Sequence, residues 1–141
     1  MKRMTWFALA TVLVCLGGQS RLTAQTCQDD EAMVGNYTKD ISDLVTDVKK
    51  ESLVDFAKNY HQKKCLTKLA LSVNFVGQAA DCYSKAAQDT TATKEDIAAA
   101  KAKAETFSKL KASIEQNRNA LKATEVAKEA KAIIEKIDLS H

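Results

Sequence analysis

Cys27, Cys65 and Cys82, with His61 four residues ahead of Cys65, are where this chain could carry out chemistry. A histidine and a cysteine at i and i+4 share one face of a helix and could both approach a metal ion. Two ligands do not make a site, and no second cluster supplies the rest, so neither a metal nor a cofactor is expected. Lys63 and Lys64 precede Cys65 and would favour its thiolate. A thiol nucleophile also needs a base and a group to stabilise the oxyanion. His61 is placed to be the base, but a chain so poor in glycine offers no oxyanion loop. His61 therefore reads as a residue of a solvated helix face, as do the carboxylate pairs Asp43 with Asp47 and Glu51 with Asp55. No catalytic residue is assigned, and the expectation is a protein that is not an enzyme.

The order of the first residues sets the compartment. Lys2 and Arg3 are charged, Trp6 to Leu16 is an uncharged apolar run, and Leu22-Thr23-Ala24 closes a small, polar stretch. That is the order of a secretory signal peptide, with cleavage expected after Ala24. The apolar run is shorter than the roughly 20 residues a membrane-spanning helix needs. No later stretch reaches that length either, so no membrane span is expected. The domain reading is a signal peptide over 1–24 and a single domain over 25–141. The expected destination is extracellular, or the apoplast if the source is a plant.

Cleavage changes the electrostatics. The full chain holds 21 Lys plus Arg against 18 Asp plus Glu, and Lys2, Arg3 and Arg21 leave with the leader. The mature chain is then near neutral, which gives no support for nucleic-acid binding. Arg118 is its one arginine.

Cys15 leaves with the leader too, so three cysteines remain in an oxidising compartment. Cys65 and Cys82 on one helix would stand about 25 Å apart at 1.5 Å per residue, beyond the roughly 7 Å between Cα atoms that a disulfide tolerates. Cys27 must then belong to any internal bridge. If a first helix turns back near Lys50, Cys27 faces Asn74, between Cys65 and Cys82, and an extended lead-in favours Cys82. The expected bridge is Cys27–Cys82, worth about 4 kcal/mol if loop closure governs. Cys65 is left as a free thiol or as the link of a disulfide-bonded homodimer. Asn36-Tyr37-Thr38 is a sequon, which makes Asn36 a candidate glycosylation site.

The elements that must position these residues are helices. The mature chain lacks proline, and Val34, Tyr37, Ile41, Leu44 and Val48 recur at spacings of three and four over Asp29 to Lys49. Ser52 with Asp55 starts a short second helix reaching about Gln62. Leu66, Leu69, Val73, Val76, Ala80 and Tyr83 form the stripe of a third, and its Gly77 suggests close approach by a neighbouring helix. Thr93 with Asp96 opens a fourth that runs to about Leu121. Thr124 is the expected cap of a last helix carrying Ala130, Ile134 and Ile137. No strand pattern occurs. The fold class is all-α, an up-and-down bundle of four to five helices.

Ala86 to Asp96, Leu121 to Thr124 and Ala130 to Asp138 resemble small secreted all-helical plant proteins with no assigned activity. The resemblance covers the C-terminal half and implies an extracellular plant setting. The function these residues point to is a secreted, non-enzymatic binding or interaction protein of unknown partner. The alternatives are a carrier of a small apolar ligand, held by Leu66, Leu69, Val73, Val76 and Phe107, or a helical-bundle inhibitor of a secreted hydrolase.

Overall fold

The structure, a computed structural model, describes the backbone of residues 13–139 and the side chains of residues 27–139. The charged start of the expected leader, most of its apolar run, and Ser140 and His141 lie outside the described residues. Five helices follow one another: α1 (Leu13–Lys50), α2 (Leu53–Lys58), α3 (His61–Ala86), α4 (Lys94–Ala123) and α5 (Ala127–Glu135). Among the described residues there is no strand.

α3 is the hub of the bundle, with α1 along one side and α4 along the other. Three contacts fix the antiparallel register of α1 on α3. Cys27 bonds to Cys82 with Cα atoms 5.5 Å apart. Tyr37 stacks on Phe75 with ring centroids 4.7 Å apart. Asp40 pairs with Lys68 at 2.8 Å. α4 runs back down α3, and α5 turns up again, lightly touching all four other helices. α1, α3, α4 and α5 therefore alternate in direction, and α2 spans the end where α1 hands over to α3. The core is the seam where these faces meet. Ile41 and Val48 of α1, Leu69 and Val76 of α3, Ile114 of α4 and Ile134 of α5 are fully buried in it.

Local signals explain most boundaries. The Ser52 hydroxyl accepts from Asp55 N–H at 3.1 Å and donates to its carboxylate at 2.6 Å, which starts α2. Thr93 and Asp96 repeat the arrangement at α4, at 3.1 and 2.8 Å. Between α3 and α4, the Asp89 carboxylate accepts from Thr91 N–H at 2.8 Å and from its hydroxyl at 2.6 Å.

Other boundaries depart from expectation. α1 already covers Leu13, the first described residue, and so does not start at Asp29, because nothing stronger than Gly17-Gly18 interrupts the helical pattern between them. In the full chain Asp29 to Glu31 thus lie inside a helix and not at its start. α2 ends at Lys58, and α3 begins at His61 rather than Leu66. The break between them is Tyr60, held in the left-handed region at φ 54° and ψ 35°. Such a conformation costs a bulky side chain roughly 1–2 kcal/mol, so the residue types give no hint of it. Thr124 does not cap α5. It ends α4, its hydroxyl donates to Glu129 at 2.8 Å, and Val126 precedes α5 without a capping side chain. Gly77 is not required by packing. A Cβ there would meet only the flexible end of Lys111, at 3.7 Å or more.

Candidate functional site

The two ends of the bundle differ in chemistry. At the disulfide end, Glu31 of α1, Tyr83 of α3 and Lys103 of α4 form a polar clasp. The Tyr83 hydroxyl donates to Glu31 at 2.5 Å, and Lys103 donates to the same oxygen at 2.6 Å. Lys103 also lies 3.2 Å from the Tyr83 hydroxyl and 4.9 Å from its ring centroid, and Tyr83 stacks on Phe107 at 5.8 Å. Burial pushes the Glu31 carboxyl up, but hydrogen bonds from Lys103 and Tyr83 and the charge of Lys103 outweigh it, leaving it below its ordinary value. Burial and the bond to Glu31 raise Tyr83, and the bonds to Glu31 and Tyr83 raise Lys103. All three groups satisfy one another in their resting charge states. The clasp therefore ties three helices together and leaves no group poised to exchange a proton near neutrality.

The opposite end presents apolar groups to solvent. Among the described residues, Leu53 (44% exposed), Val54 (61%), Tyr60 (71%) and Val126 (54%) are the four most exposed of the six large hydrophobic side chains that reach the surface. Of these, Tyr60 lines an open groove of about 300 Å³ together with Phe56, Ala57, Leu66 and Ala127. Leu53 and Val54 lie on the same face of α2 as Ala57, at i+4 and i+3. Val126 adjoins Ala127. The exposed groups thus lie on α2, at the α2–α3 junction and at the start of α5, elements that pack together. Grouped exposed hydrophobics of this kind mark interaction surfaces, whereas scattered ones do not.

Polar contacts beneath the patch hold it rigid. Gln62 donates its amide to the carbonyls of Leu121 and Thr124 at 3.1 and 2.9 Å, joining the start of α3 to the end of α4. The Asn59 amide donates to Glu51 at 3.0 Å. His61 Nε2 lies 2.8 Å from the other Glu51 oxygen. Its Nδ1 is buried without a hydrogen-bond partner. The His61 ring packs on Phe56 with centroids 5.9 Å apart. His61 is thus buried, at 7% exposure, and the expectation of a solvated face is wrong. It falls one turn before Cys65 on the buried stripe of α3.

The structure sorts the remaining expected residues. Cys27 and Cys82 form the expected bridge. Cys65 is a free thiol with 0% exposure. Burial pushes it up to about 12, and Lys68, not Lys63 or Lys64, opposes that shift. The expectation of a favoured thiolate is overturned, and Cys65 offers no accessible sulfur for a disulfide-linked dimer. Asn36 is exposed on α1, and the Thr38 hydroxyl donates to the Val34 and Gly35 carbonyls at 3.0 and 3.1 Å. Of the residues expected to line a ligand cavity, Leu69 and Val76 are fully buried core and Phe107 packs on Tyr83. Leu66 alone lines the groove at the α2 end. Among the described residues no three His, Cys, Asp or Glu side chains gather as metal ligands, and no helix is long and apolar enough to cross a membrane. The exposed patch itself was missed from the sequence. Its available signal was Leu53-Val54 and Val126, apolar residues next to the capping positions of short helices.

No family model, no curated protein and no solved structure matches the chain.

Proposed function

We propose that this chain is a secreted, non-enzymatic interaction protein that engages its partner through the α2 end of the bundle. The observation that carries this reading is the exposure of Leu53, Val54, Tyr60 and Val126 at the end of the bundle that also holds an open, largely apolar groove. Interfaces are enriched in tyrosine, and a rigid aromatic ring at the rim of a groove loses little entropy on binding. Tyr60 is held in a costly backbone conformation while its ring stays exposed. Such strain clusters at functional positions. Export supports the same reading through the order of the first residues, cleavage after Ala24, and one bridge of a kind that persists in oxidising compartments. Asn36 would carry a glycan on the exposed side of α1, well along that helix from the patch. The resemblance of the C-terminal half to small secreted plant proteins makes the apoplast the proposed setting. A covalent homodimer through Cys65 is not part of the proposal, because that sulfur is enclosed.

The test compares binding of the mature protein to extracellular material with that of a Tyr60→Gly variant. Glycine accepts the left-handed conformation at no steric cost, so the variant keeps the fold and loses only the ring. Saturable binding by the parent protein that weakens at least about tenfold in the variant is expected, the loss typical of an aromatic anchor. Equal binding by the two proteins removes the α2 end as the binding surface. Mass analysis under non-reducing conditions checks export in one measurement, through the cleavage site, the thiol count and any glycan.

A further inference from the structure

Charge at the α2 end narrows the class of partner. Lys50, Lys58, Lys63, Lys64, Lys122 and Lys128 are all exposed there, on the ends of the five helices that meet at this end. The six lysines stand against four carboxylates at this end, Glu51, Asp55, Glu125 and Glu129, an excess of two positive charges. Glu51 holds His61 and Asn59, Asp55 is bonded by Ser52, and Glu129 by Thr124. Asp55, Glu125 and Glu129 are exposed, and Glu51 is half-buried. The near-neutral total charge of the mature chain hides a cationic end. The disulfide end is the opposite, with Asp29, Asp30, Glu31, Glu95 and Asp96 near the bridge.

Resting on the reading that this end is the binding surface, we propose that its partner is an anionic lipid bilayer surface. Lysines around a small protruding set of apolar and aromatic side chains fit a headgroup layer, where the lysines meet phosphates and Tyr60, Val54 and Val126 enter the acyl boundary. The shape favours a surface over a peptide. A helix-binding site is a long groove with anchors spaced over several turns. Here the groove is only about 300 Å³, and Tyr60, the most exposed of the large apolar groups, stands at its edge. Protruding groups find no matching socket on an ordinary acidic protein face, whereas lipid tails part around them. No step of this binding requires a spanning helix.

The experiment is vesicle co-sedimentation of the mature protein, with phosphatidylcholine vesicles and phosphatidylcholine vesicles containing phosphatidylglycerol. Expected is binding to the anionic vesicles at least about tenfold stronger than to the neutral ones, falling with added salt. A Lys63→Gln, Lys64→Gln variant should lose about tenfold or more. A charge-preserving variant, Val54→Ser, Tyr60→Gly, Val126→Ser, should lose a similar factor. Its substitutions lie at exposed positions, and the hydroxyl that Val126→Ser introduces would supply α5 with the cap it lacks, so thermal melting should show an intact fold. Equal binding by that variant and the parent protein overturns the proposal, because attraction to charge alone would then suffice. Binding to monomeric lysophosphatidylglycerol but not to vesicles also overturns it, in favour of a carrier. Binding to polyglutamate but not to vesicles does so in favour of an acidic protein. Failure on vesicles while Tyr60-dependent binding to extracellular material persists removes the bilayer and leaves the interaction reading standing. Loss of both removes both.

Discussion

Cys65 shows how far position can override residue type. Beside two lysines in the sequence it looks like an activated thiol, yet on the folded helix those lysines point to solvent and the sulfur to the core. Desolvation of the thiolate then dominates, and the thiol is pushed up to about 12. Iodoacetamide should leave Cys65 unmodified in the native protein at neutral pH and label it once denaturant is added. Fast labelling of native protein, read by mass, would show that the burial is wrong. The linkage has a definite sign. The folded value lies above the unfolded one, so the contribution is fully present below about pH 8.5, the ordinary thiol value, and is lost as pH rises toward 12. A Cys65→Ala variant should therefore show a shallower loss of stability with alkali than the parent protein, measured by denaturant melts across that range. Tyr60 makes the complementary case. Asn59 is the residue whose type suits a left-handed break, and the chain breaks one position later.

At the scale of elements, the helices were legible because two simple signals agreed. The three-four spacing of Val34, Ile41, Leu44 and Val48 identifies the buried face of α1, and Ser52 and Thr93 cap where expected. The signals failed where one element ends against another. Gln62 closes the C-terminus of α4 from α3, a contact across the whole chain that no local pattern encodes. The site at the α2 end was illegible for the same reason, since α2 and α5 come together only after α5 folds back. Gly77 offers a clean test of helix propensity. A Cβ there has ordinary van der Waals room, so Gly77→Ala should stabilise the protein by about 1 kcal/mol, seen as a higher midpoint in urea. Destabilisation would mean that α3 and α4 lie closer than described. The clasp joins three elements and depends on pH in the carboxylate sense. Glu31 titrates below its ordinary value, so its contribution is present above the usual carboxylate range and fades as pH falls through its folded value. The groups are partly exposed, so Lys103→Met should cost only about 0.2–1 kcal/mol near neutrality. The difference from the parent protein should vanish in acid. A deficit that persists undiminished in acid would assign the effect to lost packing over Tyr83 instead.

For the whole molecule, the balance between chain entropy and burial gives the bridge its weight. Cys27 and Cys82 are 55 residues apart, and the loop they close includes all of α2 and most of α1 and α3. Reduction should lower stability by about 4 kcal/mol on the loop-closure account, without altering the helical spectrum below the transition. A reduced protein that melts at the same temperature as the oxidised one would show that packing on α3 alone fixes the pair. The apportioning of roles also becomes visible at this scale. One end is cross-linked and clasped, while the other is tied by polar contacts and carries the apolar groups. Only the folded molecule shows that separation, because the residues of each end come from opposite parts of the chain.

A zip fastened at its top opens from the bottom. With Cys27 and Cys82 joined, excursions that part α1 from α3 start at α2 and shrink toward the covalent stop. In heavy water, amide protons of residues 53–60 should therefore be replaced earliest, with lifetimes lengthening steadily along α3 as Cys82 is approached.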